Sequence, residues 1–197
     1  MIKIYLVGVT CVGKSAIGEL LARKINFTFY DFDKEIEKYF DKPIEYIQED
    51  YLFPYSFRED TGIVLRELLN KKENSVIAAS PSALRDIYLR EYKKAREIAE
   101  NTIISIYISD KPENILKRIT FYDKESRLMD VQLSEREKGL YLKKIKKEIT
   151  FYKKFNSRAD YEFNIEGLNL DNIPEILIEF LISENEEFEE YIKHCLL

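Results

Sequence analysis

At 197 residues the chain suits one domain with room for a small insertion, and its 45% hydrophobic and 34% charged residues are ordinary for a globular protein. A net charge of −5 argues against broad affinity for nucleic acid or membranes, so the lysine pairs Lys143-Lys144, Lys146-Lys147 and Lys153-Lys154 read as a solvated helix face. No apolar run approaches about 18 residues, the N-terminus runs straight into a strand, and two cysteines, Cys11 and Cys195, make no disulfide framework. A cytoplasmic protein is the simplest expectation.

In chain order, Ile2–Val7 opens as a short β-rich strand. Further strands are predicted over 27–31, 75–79, 103–109 and 161–165, several of them continuously apolar and all separated by helical patterns. Such alternation predicts a parallel sheet with helices on both faces. Helical spacing of Ala16, Ile17, Leu20, Leu21 and Ile25 follows the first strand. A helical stretch over 32–69 follows the second. Asp110-Lys111-Pro112-Glu113 reads as an acidic cap with an early proline, ahead of Ile115, Leu116 and Ile119. The polar stretch 120–133 is predicted to lack a strand. Ser134 and Glu137 have capping-box spacing and open a long helix lined by Tyr141, Ile145, Ile149 and Tyr152. Asp171-Asn172-Ile173-Pro174 starts a last apolar helix. The acidic segment 183–190 either frays or is docked by Phe188, Tyr191 and Ile192.

Between the first strand and the first helix lies Gly8-Val9-Thr10-Cys11-Val12-Gly13-Lys14-Ser15, which fits the phosphate-loop pattern G-x-x-x-x-G-K-[ST] in the strand–loop–helix context the pattern requires. Gly8 and Gly13 carry no Cβ, so the backbone can turn tightly with its N–H groups inward. The helix beginning near Lys14 adds its positive end to the same cavity. Gly8, Thr10, Cys11, Val12, Gly13, Lys14, Ser15 and Ala16 are therefore the candidates for binding a nucleotide triphosphate. Lys14 is expected on the β- and γ-phosphates and the Ser15 hydroxyl on Mg²⁺. The Cys11 thiol is either activated by the helix end and Lys14 or simply a small filler.

The second strand ends in Tyr30-Asp31-Phe32-Asp33. Ligands gather at the carboxyl ends of strands in open α/β sheets, and alternation along an extended segment places both acids on one side. One can support Mg²⁺ through water while the other accepts a proton from an acceptor hydroxyl. Asp33 can alternatively cap a helix over 34–40. Arg58, in a helix continuing through Ile63, Leu65, Leu68 and Leu69, suits an acceptor carboxylate or phosphate, or else an ion pair with a neighbouring acid.

Four features in order resemble the shikimate kinase family: the early G-x-x-x-x-G-K-S, the D-x-D after strand two, Lys42-Pro43-Ile44 with Ile47, and Phe57-Arg58 followed by Leu65. The run Leu116-Lys117-Arg118 and the later Ser126-Arg127-Leu128-Met129 resemble that family's adenine-side arginine and its lid arginine. The resemblance spans roughly 1–165. It implies a three-layer, nucleoside-monophosphate-kinase-like P-loop NTPase fold with a five-stranded parallel sheet in order 2-3-1-4-5. It also implies one kinase domain over 1–197, with an acceptor-binding segment at 32–69, a mobile lid at 120–133 and an acidic tail at 183–197. ATP and Mg²⁺ are the implied co-substrates, with Lys14 and Ser15 in their phosphate-loop roles and Asp31 near the metal. Asp33 would meet the acceptor hydroxyl, Arg58 its carboxylate, Arg118 the adenine side, and Arg127 the transferring phosphate.

Departures fall on the acceptor side. Where the family has a triple-glycine turn, this chain has Ala78-Ala79-Ser80-Pro81-Ser82; Pro81 lacks a donor and the side chains fill space, so an acceptor cannot sit there in the family manner, and Ser80 is the substrate-binding candidate at this turn. Leu128 stands where the family's lid has proline. The family's late carboxylate-binding arginine falls on Glu148 or on Phe151, depending on whether Tyr152 or Phe155 is the counterpart of the family's tyrosine. Arg158 or a neighbouring lysine is the remaining basic candidate. The expected function is an ATP-dependent kinase acting on a hydroxyl of a small carboxylated metabolite. Alternatives are a nucleotide-binding regulatory module without turnover and a nucleoside monophosphate kinase. Oligomeric state is left open.

Overall fold

The structure is a computed structural model that describes residues 1–123, 125 and 127–195. Its sheet is five-stranded and parallel, in the order β2 (Thr28–Asp31), β3 (Ser75–Ala78), β1 (Ile2–Val7), β4 (Thr102–Ser109), β7 (Tyr161–Asn164). Numbering only the sheet's own strands, this is the expected 2-3-1-4-5 order. Every residue of β1 is buried, which explains why it reads as a continuous apolar run. Lys3 is the exception in kind. Its stem lies inside, and its Nζ donates to the carbonyls of Lys71 (2.7 Å) and Glu73 (3.2 Å).

Alternation along β1 sends side chains into two separate cores. Ile2, Ile4 and Leu6 join the face covered by α1 (Lys14–Lys24), α6 (Pro112–Lys117), α7 (Glu135–Asn156), α8 (Ile173–Glu184) and α9 (Glu186–Cys195). Tyr5 and Val7 join the face covered by α2 (Phe32–Phe40), α3 (Ile44–Glu49), α4 (Pro54–Leu69) and α5 (Asp86–Arg96). Gly18 lets α1 lie close on β2, since a Cβ there would stand 2.7 Å from the Phe29 ring.

Local chemistry departs from the sequence reading at three places. Asp31, not Asp33, caps α2, its Oδ1 accepting from Asp33 N at 3.1 Å; the helix therefore starts two residues before position 34, and Asp33 lies in its first turn. Lys111 occupies the cap of α6, while Asp110 Oδ1 accepts from Lys111 N (2.6 Å) and Asn114 Nδ2 (2.8 Å). The stretch 120–133 is not strandless, because β5 (Phe121–Tyr122) pairs antiparallel with β6 (Leu128–Met129), and the Phe121 ring packs edge-on against Tyr141. The acidic tail forms α9, docked through the fully buried Phe188 and through Tyr191 against Phe27. At Ser134 the capping box is present as expected. Among the described residues no helix is long and apolar enough to cross a membrane.

Candidate active site

The loop after β1 is shaped by backbone that only its glycines accept easily. Gly8 takes φ 150° and lies so close to β4 that a Cβ would meet Ile108 O at 2.7 Å; Gly13 takes φ 112° at the cap of α1. Cys11 also has positive φ, 59°, and is half-buried. Val12 is fully buried and anchors the loop to the core, whereas Thr10 and Ala16 face solvent. Lys14 Nζ donates to the carbonyls of Gly8 (3.1 Å) and Val9 (2.9 Å). Burial lowers its pKa to about 8 against the opposing charges of Asp33, Cys11, Asp31 and Glu148.

The carboxyl end of β2 delivers its acids to this loop. Ser15 Oγ donates to Asp31 Oδ2 at 2.5 Å. Asp33 is open to solvent at the edge of the cleft, yet the surrounding protein mass raises its carboxyl to about 6; Asp31, Glu37 and Glu45 push the same way and Lys14 opposes them. Asp31 thus touches the loop through Ser15, and a helical first turn, not strand alternation, sets Asp33 beyond it. Ser15 and Asp31 supply hard oxygen donors in contact, which suits Mg²⁺ when phosphates and waters complete its shell. Among the described residues no cluster of three or more His, Cys, Asp or Glu forms a metal cage of its own.

Arg118, at the end of α6, lies beside the loop, where its Nε donates to Cys11 O (3.4 Å) and its Nη2 to Asp110 Oδ2 (2.5 Å). Arg58 is 7% exposed, and its Nη2 pairs with Asp86 Oδ2 at 2.9 Å; the ion pair weighed from the sequence is thus present. Ser80 closes a turn in which Ala83 N donates to its carbonyl (3.0 Å) and its hydroxyl meets that of Ser82 (3.1 Å). Arg127 meets acids of its own hairpin. Its side chain is 69% exposed on the hairpin and pairs with Asp123 (3.5 Å) and with Glu125. Ser126, grouped with it in the lid motif, lies outside the described residues, as do 196–197 of the tail. Arg158 Nη1 donates to Leu84 O (2.8 Å). Glu148 is half-buried and acts on both Lys14 and Tyr152.

Sequence reasoning missed Arg85 and Asp86. Arg85 Nε shares Asp86 Oδ2 with Arg58, at 2.8 Å, and its guanidinium lies over the rings of Phe151 (5.4 Å) and Phe155 (5.2 Å). Nothing in the local sequence announces this, because the cluster joins α4, α5 and α7 across the fold. The one available signal was an arginine–acid pair at the start of a helix next to an altered turn.

The family profile described as "Shikimate kinase" matches residues 10–169. The chain belongs to the shikimate kinase family. It is a phosphotransferase that uses ATP to phosphorylate a hydroxyl of a small metabolite. A shikimate kinase of Buchnera aphidicola subsp. Schizaphis graminum is 32% identical over 133 residues, 68% of this chain and 72% of that protein. That of Aquifex aeolicus is 43% identical over 76 residues, 39% of this chain and 44% of that protein. Among solved structures, the shikimate kinase of Acinetobacter baumannii in complex with shikimate superposes with a TM-score of 0.72 at 26% identity, covering 93% of this chain and 94% of that one. As a shikimate kinase family member, the chain carries its phosphate-loop pattern over Gly8–Ser15.

Proposed function

We propose that the chain transfers the γ-phosphoryl group of ATP to a hydroxyl of shikimate or a closely similar carboxylated polyol. The observation that carries this is the meeting of the phosphate loop with the acids after β2: Asp31 Oδ2 accepts from Ser15 Oγ at 2.5 Å, and Asp33 follows in the first turn of α2, where its charge acts on Lys14. A carboxylate poised there can accept a hydrogen bond from the attacking hydroxyl and take its proton as the oxygen–phosphorus bond forms. Lys14 holds the β- and γ-phosphates and balances the charge that moves to the leaving ADP. Ser15 and Asp31 would hold Mg²⁺, which when bound neutralises charge on the β- and γ-phosphate oxygens. Arg118 flanks the nucleotide, and the loop residues from Gly8 to Ala16 cradle it. Segment 32–69 holds the acceptor, with Arg58 on its carboxylate and Ser80 beside its ring. The hairpin segment 120–133 acts as the lid, releasing Arg127 from Asp123 and Glu125 to reach the transferring phosphate.

The single-domain arrangement over 1–197 follows from the same reading. A coupled assay with purified protein, ATP, Mg²⁺ and shikimate tests it. Turnover that disappears in Lys14→Ala supports the reading, and no turnover of shikimate at any concentration overturns it.

A further inference from the structure

Two guanidinium groups converge on one carboxylate oxygen between α4, α5 and the end of α7: Arg58 Nη2 at 2.9 Å and Arg85 Nε at 2.8 Å from Asp86 Oδ2. Two guanidinium groups therefore share this one carboxylate, and Glu148, which also acts on the Tyr152 phenol, is a further acid on that side. Arg58 is 7% exposed, and its Nε is buried with no hydrogen-bond partner. A buried donor of this kind is otherwise satisfied, so its vacancy points to a ligand atom. Arg85 uses Nε on Asp86, which leaves its two terminal nitrogens outside that pair. Its plane is held by the Phe151 and Phe155 rings, which fix the guanidinium while competing little for its N–H groups. Both arginines also act on the Tyr152 phenol, so they face the same space beside α7.

We infer that Arg58 and Arg85 form a two-arginine clamp for the carboxylate of the acceptor, with Arg85 the specificity-determining member on the α5 side. The inference rests on the proposed acceptor class. Each planar fork matches the two oxygens of a carboxylate, and an incoming carboxylate oxygen gives the buried Arg58 Nε the acceptor it lacks. Arg158 is a poorer candidate, since its Nη1 is committed to the Leu84 carbonyl. Arg85 also sits over Phe151, one of the two positions on which the family's late arginine falls, so a guanidinium reaches that neighbourhood from α5 in place of α7.

The test compares shikimate with its methyl ester, which keeps the hydroxyls and removes the charge. Wild type, Arg85→Gln and Arg85→Lys are assayed with saturating ATP and Mg²⁺, and folding is checked by thermal melting. The clamp predicts a KM for shikimate raised roughly 10- to 100-fold in Arg85→Gln, partly restored in Arg85→Lys, with the KM for ATP within about twofold of wild type. It also predicts that wild type prefers shikimate to the ester by a similar factor and that Arg85→Gln loses this preference. Equal weakening toward acid and ester in Arg85→Gln would mean a merely structural role and overturns the clamp. If wild type does not turn over shikimate, the acceptor reading fails, and the clamp is judged by calorimetry alone. There, shikimate binding no tighter than the ester overturns the clamp, and tighter binding that Arg85→Gln abolishes supports it.

Discussion

Placing one methyl group at Gly8 and the same group at Gly139 should move stability in opposite directions. At Gly8 the new carbon would stand 2.7 Å from Ile108 O, about 0.7 Å short of the 3.4 Å at which ordinary contact begins. That oxygen belongs to β4 and moves only if the sheet moves. The backbone φ of 150° is also one that alanine rarely adopts. Steric overpacking costs about 1–3 kcal/mol and an unfavourable dihedral about 1–3 kcal/mol, so a loss of about 3 kcal/mol is a central expectation. For a chain of this size that lowers the melting temperature by roughly 6–12 °C. At Gly139, inside α7, nothing lies within 4 Å of the new carbon. Alanine there should gain about 0.5–1 kcal/mol through helix propensity, raising the melting temperature by roughly 1–4 °C. Thermal unfolding followed by far-ultraviolet circular dichroism reads both variants, and ATP affinity by calorimetry should fall in Gly8→Ala and hold in Gly139→Ala. A Gly8→Ala protein melting within about 2 °C of wild type, with ATP affinity intact, would refute the claim that the loop requires this backbone.

Two further outcomes follow from the site and the tail. With Mg²⁺ in excess and both ATP and shikimate well below their KM values, so that the free enzyme is read, the rate should rise with pH through about 6, because Asp33 acts in its ionised form, and fall through about 8, because Lys14 acts protonated. The low-pH limb should vanish from the residual activity of Asp33→Asn; a limb that survives unchanged assigns it to another group. Phe188→Ala removes a fully buried ring from the interface of α9 and should cost about 3–5 kcal/mol, or roughly 6–20 °C of melting temperature. An unchanged melt would show that α9 contributes nothing to the core.

The nucleotide side was legible because its instructions are local. Gly8, Gly13, Lys14 and Ser15 sit in one turn whose geometry follows from missing side chains and a helix end. The strands were legible because both faces are buried, making Ile2–Val7 and Ser75–Ala78 continuous apolar runs. Caps were read less well. Asp31 and Asp33, and likewise Asp110 and Lys111, are alternatives a residue or two apart, and backbone dihedrals choose between them. The two-residue strands of the lid hairpin are too short to show any period. The Arg58–Asp86–Arg85 cluster was illegible for a different reason: its members come from distant elements, and Asp86 competes for the arginine that the motif offers to a ligand.

The two cores described above have a bearing on how such a kinase changes partners over generations. α1 and the underside of the phosphate loop rest on one face of the sheet, while α2 to α5, which include the segment proposed to hold the acceptor, rest on the other. Substitutions that reshape the second face meet the first only through strands whose side chains alternate between them. A phosphate loop seated on its own core is thereby insulated from repacking on the side proposed to hold the acceptor.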